Sequence, residues 1–100
     1  MAVTIHPSIR VHPGPWLKRT YVEPYKMTIA DVAKHLDVTR ANMSRLLNGK
    51  ASLTPEMARR FEDAFGVKAA TLLRIQADYD LGQLELSGKP TGVARIPEPV

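Results

Sequence analysis

The chain has 100 residues, of which 44% are hydrophobic, so it is long enough for one folded domain and too apolar for a disordered chain. It contains no cysteine, which excludes a disulfide scaffold, a thiolate zinc site and a cysteine nucleophile. The formal net charge of +4 favours nucleic acid as a partner only weakly, because many ordinary domains are equally basic.

Turn-forming residues are concentrated at the two ends of the sequence. Proline and glycine punctuate both ends, which predicts an irregular N-terminal arm over residues 1–13 and a flexible C-terminal tail over residues 87–100. A single domain is expected between them, over residues 14–86. No apolar run is long enough to cross a bilayer, and the N-terminus lacks the pattern of a secretory signal. We therefore expect a cytoplasmic protein with no membrane partner.

The first helix of this domain is predicted to run from Pro15 to about Val22. Proline is favoured in a first helical turn, where its missing N–H costs little. Pro24 is expected to end the helix. Trp16, the only tryptophan, is expected to pack against the core, although tryptophan is also common where proteins meet partners.

The next two helices are short and are separated by a tight turn. Thr28 is a good N-cap, and Asp31 three residues later completes a short form of the capping box. Apolar residues at helical spacing then continue until Asp37, a residue type that tolerates left-handed backbone. Thr39 is expected to cap the third helix, which Gly49 ends.

Two longer helices are predicted to complete the domain. Leu53, Thr54 and Pro55 have the order of a hydrophobic staple, a cap and a first helical residue. The fourth helix then ends at Gly66, and the fifth runs from about Ala69 to about Leu86. The sequence therefore predicts an all-α fold of five helices without strands.

The second and third helices have the arrangement of a helix-turn-helix. Apolar residues such as Met43 and Leu46 are expected to fix the third helix to the core, which leaves its other side exposed. A helix can enter the DNA major groove, where Arg40 and Arg45 are long enough to contact guanine in a bidentate manner. The residues predicted to contact DNA are Thr39, Arg40, Ala41, Asn42, Ser44, Arg45, Asn48 and Lys50.

The distribution of charge supports this interpretation without proving it. The formal charge is +3 over residues 34–50 and −2 over residues 74–85, which indicates two faces with different partners. Helix pairs with short turns are nevertheless common in all-α domains, and Arg40 and Arg45 could belong to an ordinary solvated face.

Other chemistry is not indicated. His6, His12 and His35 lack the spacing of a metal site and are expected to be exposed. The serines lie in no nucleophile motif and no phosphate loop occurs, so we expect neither an enzyme nor a cofactor.

Residues 28–50 resemble the Xre/Cro-type helix-turn-helix, which implies a lambda-repressor-like fold. Several separate blocks, in order and spacing, also resemble the HigA family of antitoxins over about residues 12–86. These blocks are His12-Pro13-Gly14, Glu23-Pro24, Ser44 to Lys50, Leu53 to Ala58 and Gln76 to Leu81. The chain departs from the family at Pro15, where glutamate is common, at Asp37, where glycine is usual, and over residues 68–73.

The resemblance implies a homodimer that binds double-stranded operator DNA, represses its own operon and neutralises a HigB-like toxin, an mRNA endonuclease of the RelE type. It places Thr39, Arg40, Ala41 and Arg45 at base-reading positions and Asn42 at a phosphate position. Such a protein would act in the cytoplasm, on the nucleoid. Two alternatives stay open, which are a stand-alone repressor of the same fold without a toxin and a protein-interaction module that has lost DNA binding.

Overall fold

The computed structural model describes residues 11–100, and within this range the chain forms five α-helices and no strand. The helices, in chain order, are α1 (Pro13–Leu17), α2 (Ile29–His35), α3 (Arg40–Leu47), α4 (Pro55–Phe65) and α5 (Ala69–Ser87). The predicted all-α class is therefore confirmed. In the described part of the chain, no helix combines the length and the apolar character that crossing a bilayer requires.

The first helix begins two residues earlier than predicted. It starts at Pro13 rather than Pro15, because the side chain of His12 caps it. The His12 Nδ1 atom accepts a hydrogen bond of 2.9 Å from the Gly14 N–H. Beyond α1 the chain continues as π-helical turns over Lys18–Val22, so helical structure ends at the predicted residue.

The prediction that the histidines are exposed is wrong for His12. Its residue surface is only 9% exposed, and its ring stands edge-on to that of Tyr79 in α5, with centroids 5.1 Å apart. His35 is exposed as predicted, and His6 lies outside the described residues. The sequence could not place His12 because the helix that covers it is distant along the chain.

Threonine caps fix the starts of α2, α3 and α4, as predicted. The hydroxyl oxygens of Thr28, Thr39 and Thr54 accept hydrogen bonds of 3.0, 3.1 and 3.2 Å from the backbone N–H three residues later. At α2, the Asp31 carboxylate accepts the Thr28 N–H in return, which closes a capping box and lowers the pKa of Asp31. Loss of one such threonine cap typically costs about 1 kcal/mol.

The core lies where the five α-helices meet. Phe61, Met43 and Leu72 contribute fully buried side chains from three different helices. Trp16 is partly buried against this core, as predicted, and its ring lies in a T-shaped contact with Tyr21 at 5.7 Å. The third helix is therefore held on its apolar side by the rest of the domain.

The two predicted terminal segments differ in what the structure describes of them. Residues 1–10 lie outside the described range, and the last two residues of the predicted arm, His12 and Pro13, are buried. At the other end, α5 includes Ser87, and Gly88 ends it with φ +67°. Residues 89–100 have no helix and are exposed; their flexibility stays a prediction.

Candidate nucleic-acid interface

The turn between α2 and α3 is built by a left-handed residue. Asp37 has φ +57°, a conformation in which glycine is usual, so the chain reverses here without a glycine. The Asp37 N–H donates to the Lys34 carbonyl at 3.2 Å, and the Val38 N–H donates to the Ala33 carbonyl at 3.0 Å. These bonds close the end of α2 as the chain turns into α3.

A side chain of α4 also holds this turn. The Arg60 Nη1 atom donates a 2.7 Å hydrogen bond to the carbonyl of Leu36, the residue that caps the C-terminus of α2. Sequence reasoning did not single out Arg60, because the two residues are far apart along the chain. The angle between α2 and α3 is therefore supported from α4.

The third helix has one buried and one exposed side. Met43, Leu46 and Leu47 are at most 3% exposed, whereas Arg40 and Arg45 are exposed. Helical periodicity explains the division, because residues three and four apart share a face. The two arginines therefore project from the domain rather than into it.

The structure brings the eight predicted site residues together on α3 and its two flanks. Seven of them are exposed, and Ser44 is half-buried. The Ser44 hydroxyl accepts a 3.2 Å hydrogen bond from the Asn48 Nδ2 atom. The exposed residues are Thr39, Arg40, Ala41, Asn42, Arg45, Asn48 and Lys50.

The arginines of α3 differ electrostatically from those of α4. Within residues 11–100, Arg40 and Arg45 have no ion pair and no hydrogen-bond acceptor for their guanidinium groups. By contrast, Arg59 pairs with Asp63 at 3.1 Å. The side chain of Arg60 pairs with Glu56 at 2.9 Å. The pKa values of both α4 arginines are raised, because each donates a side-chain hydrogen bond to a carboxylate.

A shallow cavity of about 340 Å³ lies beside α3, where the chain approaches the start of α4. Asn42 and Arg45 of α3 are among the residues that line it, together with Ser52 and Thr54. The sequence had indicated Thr54 only as a helix cap and Ser52 not at all. The surface next to Arg45 therefore includes polar side chains beyond the eight predicted residues.

The last turn of α3 is held by a close backbone contact with α1. A Cβ atom placed on Gly14 would lie 1.7 Å from the Leu46 carbonyl oxygen, so only glycine fits there. The same carbonyl accepts the Gly49 N–H at 3.0 Å, which closes the last turn of α3. Sequence reasoning treated Gly14 as part of a turn-rich segment and of the His12-Pro13-Gly14 block, and it missed this role.

A buried glutamine joins α5 to the chain that follows α3. Gln76 is 6% exposed, and its Oε1 atom accepts a 2.8 Å hydrogen bond from the Leu53 N–H. Its Nε2 atom donates to the Asp80 carboxylate at 2.9 Å. The sequence offered no signal for this role, because Leu53 and Gln76 are 23 residues apart.

Replacement of Gln76 by leucine is expected to destabilise the fold by roughly 1–3 kcal/mol, because the buried Leu53 N–H would lose its acceptor. Urea unfolding followed by circular dichroism measures this loss. The matched control is Gln83→Leu on the same helix, where the glutamine is exposed and the change should stay within about 0.5 kcal/mol. Equal effects of the two substitutions would contradict the role given to Gln76.

The helix-turn-helix family profile matches residues 18–72, which span α2, α3 and α4 and reach into α5. A solved HigA-family addiction module antidote protein from Coxiella burnetii is 32% identical, with a TM-score of 0.72 over 79% of this chain and 87% of that one. This chain belongs to the HigA family of helix-turn-helix proteins.

Two further comparisons describe what this chain is similar to. The virulence-associated protein A of Dichelobacter nodosus is 39% identical to this HigA-family chain over 74 residues, which are 73% of this chain and 72% of that protein. The Pseudomonas aeruginosa antitoxin HigA, solved with the higBA promoter, has a TM-score of 0.76 over 80% of this chain and 87% of that one. At 20% identity, the second comparison shows the shared fold.

Proposed function

We propose that this protein is a sequence-specific DNA-binding repressor whose α3 is the recognition helix. The observation that carries the proposal is the pair of exposed arginines, Arg40 and Arg45, which have no partner within residues 11–100. A positively charged group held free of carboxylates is available to a base edge or a phosphate. The solved HigA with its promoter supports a DNA partner for this fold.

Each site residue has a role in this proposal. Arg40 and Arg45 contact base edges in the major groove. The side of α3 that includes Ala41 and Ser44 lies in the same groove. Asn42, Asn48 and Lys50 contact phosphates, as does the start of α3 capped by Thr39. The roles follow from the lengths of the side chains and their exposure along one side of the helix.

We further propose that two copies pair through α5 and the neighbouring surface of α4. Leu81 and Leu84, three residues apart on α5, are each 55% exposed, which is costly for leucines that stay in water. A two-fold dimer would place two recognition helices in successive major grooves about 34 Å apart, on a palindromic operator.

Sedimentation of the purified protein is expected to show a dimer, and the double substitution Leu81→Glu/Leu84→Glu is expected to produce a monomer. The glutamates would place charge in an apolar interface without entering the core. The matched control is Val93→Glu in the C-terminal segment, where the valine is also exposed. A monomeric wild-type protein, or a dimer unaffected by the double substitution, would contradict pairing through α5.

The partner proposed beyond DNA is a HigB-like toxin of the RelE type, which this protein would neutralise while repressing the operon that encodes both. Kinship with the Coxiella burnetii antidote protein supports this proposal. The protein would then act in the cytoplasm, on the nucleoid. Co-expression with the product of the adjacent gene tests this proposal. The two proteins should co-purify, and co-expression should restore the growth that the toxin alone arrests.

Co-expression with the adjacent gene product and DNA-binding measurements also distinguish the alternatives. A protein that binds the duplex upstream of its gene, but forms no complex with the adjacent gene product and does not restore growth, would be a stand-alone repressor. Complex formation without detectable DNA binding at low salt would instead indicate a protein-interaction module. The unpaired arginines favour the two DNA-binding versions.

A further inference from the structure

We propose that His12 is a positioning residue that holds the recognition helix in place only while its imidazole is neutral. This inference rests on the proposed DNA-binding function, since it concerns the helix that would read the operator. It gives this buried histidine control over how that helix is presented to DNA.

The cap at His12 requires a particular protonation state of the imidazole. The Nδ1 atom of His12 accepts the Gly14 N–H at 2.9 Å, so Nδ1 carries no proton and the neutral ring has its proton on Nε2. A proton added at Nδ1 turns the acceptor into a donor that faces another donor. The cap then breaks, and the Gly14 N–H at the start of α1 loses its partner.

The cap is connected to the recognition helix through Gly14 and Gly49. Gly14 lies directly against the Leu46 carbonyl, in the last turn of α3. His12 also lies close to the turn that ends α3, because a Cβ atom on Gly49 would be 3.6 Å from the His12 ring. The His12 side chain therefore contacts the start of α1 and lies close to the turn that ends α3, so a change in the ring reaches α3 both through Gly14 and at this turn.

Two groups of α5 act on the His12 ring. The Tyr79 ring packs against His12, and the negative charge of Asp80 attracts a protonated imidazole. Asp80 accepts a hydrogen bond from Gln76, whose other end holds the Leu53 N–H. An imidazolium drawn toward Asp80 would compete with Gln76 and so loosen the segment between α3 and α4.

Burial gives the direction of the pH dependence. Desolvation lowers the pKa of His12 below its ordinary 6.5, while a backbone hydrogen bond involving Ala51 and the charge of Asp80 act in the opposite direction. The unfolded chain therefore binds this proton more readily than the folded one. Its contribution to stability is complete above pH 6.5 and is lost as the pH falls below that value.

The variant that tests this inference is His12→Asn, because asparagine is a good helix cap that does not titrate. The probe is a duplex that spans the DNA upstream of the protein's own gene, with affinity measured at constant salt from about pH 8 to about pH 5. The matched control is His35→Asn, since His35 is an exposed histidine on α2.

We expect the affinity of wild type and of His35→Asn for the duplex to fall about fivefold on acidification. This is the size of change expected from the loss of one helix cap. His12→Asn should bind like wild type at the alkaline end and show a flatter profile. A His12→Asn protein that keeps the wild-type pH profile would overturn the inference, and so would nitrogen NMR shifts that place a proton on Nδ1 at neutral pH.

A failure of the proposed function would look different. If no form binds the duplex at any pH, the DNA-binding proposal fails, and the thermal unfolding midpoint against pH then decides the role of His12 alone. A midpoint that falls in acid for wild type and His35→Asn but less for His12→Asn supports it. Equal acid sensitivity in all three proteins refutes it.

Discussion

Replacement of Arg40 or Arg45 by alanine is expected to weaken operator binding by roughly 1–3 kcal/mol for each arginine. The corresponding increase in Kd is about fivefold to 150-fold. The reason is the loss of a bidentate contact with a base edge, so preference for the correct base at that position should also disappear. Fluorescence anisotropy with the operator duplex and with single base-pair variants measures both effects.

Two controls separate base reading from general attraction to phosphate. Lys50→Ala is expected to weaken binding to every sequence alike and to reduce the salt slope by about one. Arg59→Ala removes an arginine that α4 already pairs with Asp63, and it should leave affinity unchanged. Both α3 arginines are exposed, so their removal should not alter the free energy of unfolding. Unchanged operator affinity in the Arg40→Ala/Arg45→Ala protein would refute the assignment.

Replacement of Gly14 by alanine is expected to destabilise the fold by about 2 kcal/mol or more, although the same change usually stabilises a helix. The sign reverses because the new Cβ atom would lie 1.7 Å from the Leu46 carbonyl oxygen, which is backbone and cannot rotate away. Thermal unfolding should show a fall of roughly 8 °C or more in Tm. Operator affinity should fall too, because the added Cβ atom would force α1 away from the end of α3.

The control for this prediction is Gly66→Ala. Gly66 has φ +83° and nothing within 4 Å of an added Cβ atom, so alanine there adds backbone strain without a clash. It should lower stability but leave operator affinity at the wild-type value, because Gly66 lies at the end of α4. A stable Gly14→Ala protein with wild-type affinity would contradict the proposed support of α3 by α1.

The sequence predicted those features that depend on neighbouring residues. The caps at Thr28, Thr39 and Thr54, the stop at Gly66 and the left-handed turn at Asp37 are local, because each bond or dihedral joins residues a few positions apart. The exposure of Arg40 and Arg45 was predicted from helical spacing in the same way. Helix starts and the side of α3 that faces outward could therefore be predicted.

The contacts that hold α3 in place could not be predicted in this way. His12 is buried by Tyr79, Gln76 bonds to Leu53 and Gly14 lies against Leu46, and each pair is separated by many residues. Such contacts depend on how the helices pack, which periodicity along one helix does not reveal. The early start of α1 has a local cause instead, since the side chain of His12 caps the helix through the Gly14 N–H, where proline and glycine had suggested an irregular segment.

The measurement that tests the central claim most directly is a map of backbone amide shifts on titration with the operator duplex. The largest perturbations are expected over residues 39–50, above all at Arg40 and Arg45, with smaller changes at the start of α4. The C-terminal half of α5 should change little. Perturbations confined to α5 and the C-terminal segment, with residues 39–50 unmoved, would contradict the claim that α3 reads DNA.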